Sequence, residues 1–179
     1  QGVHIGLDLS QKHDLTVACI AAKDDEGFVH VYPFAFTPET GIDARSARDK
    51  VPYREWSDTG ILTAVPGEVV DYDWVCQFLR MHLEDEGIDV HSIEFDRWRI
   101  AELQGAAERN GFAQSAEWNE IGQGFQSQSV RIEAMETALL QKKLRHGSHP
   151  VLNLGAASAV RVQDPAGNSK LAKNKSSQK

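Results

Sequence analysis

Val3-His4-Ile5-Gly6-Leu7-Asp8-Leu9 sets Val3, Ile5 and Leu7 against His4, Gly6 and Asp8 with a period of two. That period belongs to a β-strand with one face buried. The polar turn Ser10–Asp14 follows, then the almost unbroken apolar run Leu15–Ala22, which reads as a strand buried on both faces. Asp24-Asp25-Glu26-Gly27 makes a second turn, and Phe28–Phe36 alternates again, rich in Val and aromatics. Three strands joined by short turns predict an antiparallel meander.

Beyond the meander, Thr37–Gly60 is irregular and charged, with helical turns expected at Ala44–Lys50 and Tyr53–Ser57. Ile61–Val70 reads as a small hairpin about Pro66-Gly67. Asp71 is placed to cap a helix running to Glu86, with Trp74, Val75, Phe78, Leu79, His82 and Leu83 at helical spacing and Gly87 as its stop. Val90–Phe95 predicts a fourth strand and Trp98–Asn110 a helix closed by Gly111. Ala113–Ile121 predicts a short strand and loop. Gln126–Leu144 predicts a long helix whose apolar face is Val130, Ala134, Met135, Ala138 and Leu139. Pro150–Ala159 is a short helix or loop, Val160–Gln163 a strand and Asp164–Asn168 a turn. The order predicts an α/β fold with a mixed central sheet flanked by helices. By analogy it is the order of an RNase H-like fold, in which the fourth strand lies parallel beside the first.

Bulk composition narrows the class. At 179 residues, 41% hydrophobic and 25% charged, the chain fits one globular domain spanning residues 1–179. No apolar run approaches the roughly 20 residues of a membrane span. Cys19 and Cys76 stand far apart in apolar stretches and read as buried free thiols. A net charge of −7 excludes a basic nucleic-acid coat but not a DNA enzyme whose acids gather around metal ions. The abrupt strand start and the Lys/Ser-rich end predict a domain cut from a longer protein, with a tail over 169–179.

Two acids are placed for chemistry. Asp8 ends the first strand and Asp96 follows the fourth; parallel neighbours would bring both carboxylates to one sheet edge, where open α/β sheets bind ligands. Hard oxygen ligands there suit Mg²⁺ or Mn²⁺, and two such ions about 4 Å apart promote phosphodiester hydrolysis. The alternative is that each Asp is a turn or cap residue, and spacing alone leaves both open. Glu94 shares the Asp96 face as a peripheral ligand or a solvated strand residue. Asp164 is first a turn residue. Arg97 and Arg99 beside Asp96, Lys142, Lys143 and Arg145 at the end of the long helix, and Lys170, Lys173 and Lys175 in the tail are candidate phosphate contacts. For the helix-end cations, favourable placement at the helix dipole serves equally well. No phosphate loop ending in Gly-Lys-Ser/Thr is present, and the seven histidines lack zinc spacing.

Four segments give these residues a family context: Gly6-Leu7-Asp8-Leu9-Ser10 with Asp14-Leu15-Thr16; Phe95-Asp96-Arg97-Trp98; Gly124-Phe125-Gln126-Ser127-Gln128-Ser129; and Leu144-Arg145-His146-Gly147-Ser148-His149-Pro150-Val151-Leu152. With Asp164–Asn168 and the lysines after it, they resemble, in order, the nuclease domain of tailed-phage terminase large subunits. The resemblance implies an RNase H-like endonuclease that uses Mg²⁺ or Mn²⁺ to cut concatemeric double-stranded viral DNA during packaging in the host cytoplasm. Asp8 and Asp96 match the first two catalytic acids, and a third is expected beyond Lys179. The implied partners are DNA, an ATPase domain preceding the nuclease, the small terminase subunit and the portal protein, with no membrane. The competing readings are another RNase H-like nuclease, acting on junctions or hybrids, and a non-catalytic module that grips DNA or docks on the motor.

Overall fold

A computed structural model of the chain describes residues 2–10 and 14–172. Its strands are β1 (Val3–Asp8), β2 (Thr16–Lys23), β3 (Val29–Pro38), β4 (Thr63–Val65), β5 (Val90–Phe95), β6 (Glu117–Glu120), β7 (Leu144–Arg145), β8 (Arg161–Gln163) and β9 (Ser169–Leu171). Its helices are α1 (Ile42–Asp49), α2 (Tyr53–Asp58), α3 (Tyr72–His82), α4 (Ile100–Asn110), α5 (Phe125–Leu140) and α6 (Pro150–Ser158). A seven-stranded sheet runs β4-β3-β2-β1-β5-β6, with β7 also on β3; β8 and β9 form a separate hairpin. β1, β2 and β3 are the expected antiparallel meander. β5 lies parallel beside β1, and β6 parallel beside β5. The fold is therefore the mixed α/β sheet that the order of elements predicts.

The period of two in β1 divides the sheet into faces. Ile5, Ile20, Phe36 and Ile93 lie on one face, in a core shared with Val75, Cys76 and Leu79 of α3 and Leu103, Ala106 and Ala107 of α4. Aromatic rings fill its centre: Phe78 stacks on Trp74 at 5.3 Å and takes Phe36 edge-on at 5.3 Å. On the other face, Ala35 joins Ile42, Val51, Tyr53, Leu62 and Val151, with Leu15 and Val17 packed against them. This second cluster covers only β2 and β3. The half formed by β1, β5 and β6 keeps His4, Gly6, Asp8 and Asn119 exposed.

Local signals explain most boundaries. Asp71 caps α3 by accepting from the Asp73 amide at 2.9 Å. Gly111 closes α4 in the left-handed conformation, φ +64°. His149 caps α6, its Nδ1 accepting from the Val151 amide at 3.3 Å, and Pro150 takes the first helical position that suits its missing N–H. Cys76 is buried and Cys19 partly so, both as free thiols. Burial pushes the Cys76 thiol up to about 12.

Four expectations are corrected. Ile61–Val70 is not a hairpin: only Thr63–Val65 is a strand, parallel on the outer edge of β3, because Glu39 and Thr40 donate to the carbonyls of Val65 and Gly67. The helix from Asp71 stops at His82, and Glu84–Glu86 form one tighter turn. α5 ends at Leu140, and Leu144–Arg145 pairs instead with the start of β3. The expected apolar face of α5 is not buried: Val130 is 68% exposed and Met135 55%, while the buried residue is Ser129.

Phe36→Ala empties the centre of the aromatic cluster. It is expected to lower stability by about 3–5 kcal/mol, read as a fall in the urea midpoint at unchanged slope.

Candidate functional site

Leu7 pairs with Phe95 in the parallel β1–β5 ladder. Asp8 closes β1 and Asp96 directly follows β5, so the two acids stand where neighbouring parallel strands end on the same side of the sheet. The register also pairs Gly6 with Glu94 and His4 with Ser92. His4, Gly6, Asp8, Ser92, Glu94 and Asp96 thus share the open face, with Asp8 and Asp96 at its C-terminal edge.

Both strand exits are fixed locally. After Asp8, the fully buried Thr16 hydroxyl donates to the Ser10 carbonyl and accepts from the Ser10 amide at 3.0 Å. The Asp14 amide donates to Ser10 Oγ at 3.2 Å. This is the physical content of the Leu9-Ser10 and Asp14-Leu15-Thr16 motif: it ties the loop leaving the first acid to the start of β2. After Asp96, the Trp98 amide donates to Asp96 Oδ1 at 2.9 Å. Arg99 then turns into α4 in the left-handed conformation, φ 56°, which costs a non-glycine residue about 1–2 kcal/mol.

The basic candidates fall in three places. Arg97 and Arg99 flank the acids, and each already holds a carboxylate: Arg97 with Glu120 at 2.9 Å and Arg99 with Glu102 at 3.1 Å. Lys142, Lys143 and Arg145 are not at the acid edge. Lys143 Nζ and the Arg145 guanidinium pack on the Phe28 ring, 4.4 and 4.1 Å from its centre, where β7 joins Val29 of β3. Val17, the partner of Asp8, pairs with Ala35 of β3. Six residues of strand therefore separate the two places, about 20 Å. Nor do these cations sit on the last turn of a helix, since Lys143 and Arg145 lie at and beside β7. Lys170 is held over the Phe125 ring at 4.5 Å. Its hairpin is clasped by α5: the Ser169 amide donates to Ser129 Oγ at 3.2 Å and the Leu171 amide to Gln128 Oε1 at 2.9 Å. That clasp accounts for Gln128 and Ser129 in the Gly124–Ser129 motif. Lys173 and Lys175 lie outside the described residues.

Asp164 is spent within its turn, accepting from the Asn168 amide at 2.8 Å and from Asn168 Nδ2 at 3.0 Å. The Asn168 hydrogen bond holds its carboxyl below the usual range. Sequence reasoning missed Ser92 and Asn119, although the period of two backward from Asp96 reaches Ser92 through Glu94. Among the described residues, no three acids, histidines or cysteines stand close enough to hold one metal ion. Asp8 and Asp96 provide the chemistry of a magnesium-type site, two hard anionic oxygens on an open face. Two such carboxylates could hold a magnesium-type ion only with water or phosphate oxygens to complete its shell.

A mixed sheet that brings two strand-end carboxylates to one open edge is an arrangement compatible with a nuclease. Residues 1–179 match the family described as the terminase large subunit, endonuclease domain, and the chain belongs to that family. It is 40% identical over 172 residues to the terminase large subunit of Enterobacteria phage HK97, covering 96% of this chain and 33% of that protein. The crystal structure of the HK97 bacteriophage large terminase superposes with a TM-score of 0.90 at 38% identity, over 100% of this chain and 36% of that one. The chain thus spans about a third of the relatives it matches. Among the described residues, no helix is long and apolar enough to cross a membrane.

Thr16→Val keeps the side-chain shape but leaves the Ser10 amide and carbonyl without their partner. A loss of about 1–3 kcal/mol is expected in urea unfolding, with Thr16→Ser retaining most of the stability.

Proposed function

We propose that this chain is the DNA-cutting part of a packaging terminase, an endonuclease that hydrolyses phosphodiester bonds of concatemeric double-stranded viral DNA in the host cytoplasm. The observation that carries the reading is the β1–β5 register, which makes neighbours of Asp8 and Asp96 on an uncovered face. Asp8 and Asp96 would hold Mg²⁺ or Mn²⁺, with a third family acid beyond Lys179 completing the set. Bound there, two such ions supply an activated water and neutralise charge on the scissile phosphate.

The residues of the chain do the rest. The Ser10–Thr16 tie would hold the loop that leaves Asp8, and the Trp98 amide would orient the Asp96 carboxylate. The bare face above β1, β5 and β6 admits a phosphodiester backbone that a covering helix would exclude. Arg97 and Arg99 stand beside the scissile position, restrained by Glu120 and Glu102. Their contacts would be to phosphates and therefore indifferent to base sequence. Lys170, held over the Phe125 ring, would be a further phosphate contact. Lys142, Lys143 and Arg145, about 20 Å away along the sheet, would meet a duplex well away from the cut. The partners that go with this reading are duplex DNA, the ATPase domain of the same polypeptide, the small terminase subunit and the portal protein.

The test is cleavage of supercoiled plasmid with Mn²⁺, Mg²⁺ or EDTA. Asp8→Asn and Asp96→Asn, each close in shape to the original, are expected to lower the rate by about two orders of magnitude or more, and EDTA to stop it. Wild-type rates in both variants would sink the proposal. Arg97→Ala breaks only an exposed ion pair, so stability should move by less than about 1 kcal/mol. Duplex affinity should fall with a salt dependence shallower by about one charge.

A further inference from the structure

We propose that Glu94 is a positioning residue for the ions held by Asp8 and Asp96, fixed in place by a hydrogen-bonded chain across three strands so that its carboxylate receives the ions' water ligands. The inference rests on the metal reading given above. His4 Nδ1 on β1 lies 2.8 Å from Ser92 Oγ on β5. Ser92 Oγ donates to Glu94 Oε1 at 2.7 Å. Asn119 Nδ2 on β6 donates to the same oxygen at 3.4 Å. Because the Ser92 hydroxyl donates to Glu94, the His4 nitrogen facing it is the donor of that pair. Ser92 is buried at 6% exposure, so its hydroxyl is held in one orientation by its two partners.

The chain occupies only one oxygen of Glu94. Oε2 has no hydrogen-bond partner among the described residues. It belongs to a residue that lies two positions before Asp96 on the same open face. Across the ladder stands Gly6. Packing does not demand a glycine there, since a Cβ would meet nothing nearer than the Cys19 carbonyl oxygen at 4.0 Å. What the missing side chain provides is clear space between Asp8 and Glu94. Toward the other end, the same face forms a shallow groove lined by His4, Ser92, Glu94 and Asn119, among others.

Among the described residues Glu94 does not converge with Asp8 and Asp96 on one point, and its proposed place is accordingly behind the ions' water ligands. A carboxylate one layer out, immobile on one oxygen and open on the other, accepts hydrogen bonds from metal-bound water. Mg²⁺ keeps several waters when protein supplies only one or two carboxylates, so that outer layer matters here. Groups in this position commonly govern metal affinity by about 10–100-fold.

The experiment measures Mn²⁺ binding to the full chain by the electron paramagnetic resonance signal of free Mn²⁺, alongside thermal melting and the Mn²⁺ dependence of plasmid cleavage. Glu94→Gln keeps an oxygen acceptor for Ser92 and Asn119, removes the charge and replaces the open oxygen by an amide N–H₂ that only donates. It is expected to weaken Mn²⁺ binding by about 10–100-fold and raise the Mn²⁺ needed for half-maximal cleavage equally, with melting unchanged. Ser92→Ala keeps the charge but frees the carboxylate, and a smaller weakening is expected. Wild-type Mn²⁺ affinity in Glu94→Gln, with affinity lost in Asp96→Asn, would overturn the inference and leave Glu94 a structural residue. Wild-type affinity in Asp8→Asn and Asp96→Asn would overturn the metal reading and this inference with it. Should Ser92→Ala fail to fold, Glu94→Gln alone decides.

Discussion

The parallel hydrogen bonding of β1 to β5 is the constraint on which the rest of this structure depends. β1 is antiparallel to β2 on one edge and parallel to β5 on the other. A parallel neighbour cannot be reached by a tight turn. The chain must travel from one end of the sheet to the other and cross over it. The segment from α1 to α3 makes that journey, and α3 covers the face on which Ile5, Phe36 and Ile93 are buried. This parallel pairing sets the ends of β1 and β5 side by side with both chains leaving in the same direction. Two acids almost ninety positions apart thereby become neighbours.

Unequal cover of the sheet is the second consequence. α3 and α4 close one face along much of its width. On the opposite face, α1, α2 and α6 stop at β2 and β3, where Val17 and Ala35 still present apolar side chains. Where β1, β5 and β6 take over, the same face turns polar, and a helix laid there would have to desolvate His4, Asp8, Glu94 and Asn119. The polar half stays open for the same reason that the apolar half is closed. Cations are distributed to match: Arg97 and Arg99 stand at the acid edge under the restraint of their own carboxylates. Lys143 and Arg145 are held by an aromatic ring at the far end.

The family motifs prove to be devices for holding loops and hairpins as well as chemistry. Thr16 contributes a buried hydroxyl that closes the loop after Asp8. Gln128 and Ser129 offer side-chain oxygens to the outer amides of β9, standing in for a missing neighbouring strand. His149 starts α6. Each replaces a backbone partner that regular secondary structure does not provide at that point, so the fold alone constrains the residue type.

Much of this was legible beforehand. The period of two in β1 and β3, the apolar run of β2, the cap at Asp71 and the Gly111 stop after α4 are local signals, and these survive into the fold. Asp8 and Asp96 could be picked out because strand ends can be read from periodicity. Three matters could not be read. The apolar spacing of α5 predicts a buried face, yet Val130 and Met135 stand in solvent, because spacing tells which residues share a side and not what lies opposite. β4 and β7 exist because the outer edge of β3 had unpaired backbone groups to offer, which no propensity within Thr63–Val65 or Leu144–Arg145 records. The chain of His4, Ser92, Glu94 and Asn119 draws on three strands. Sequence by itself determined which residues alternate, where strands end and which acids end them. Only the tertiary structure decided which ends meet, which cations stand near them and which face stays bare, because strand register and helix cover are settled between segments remote in the chain.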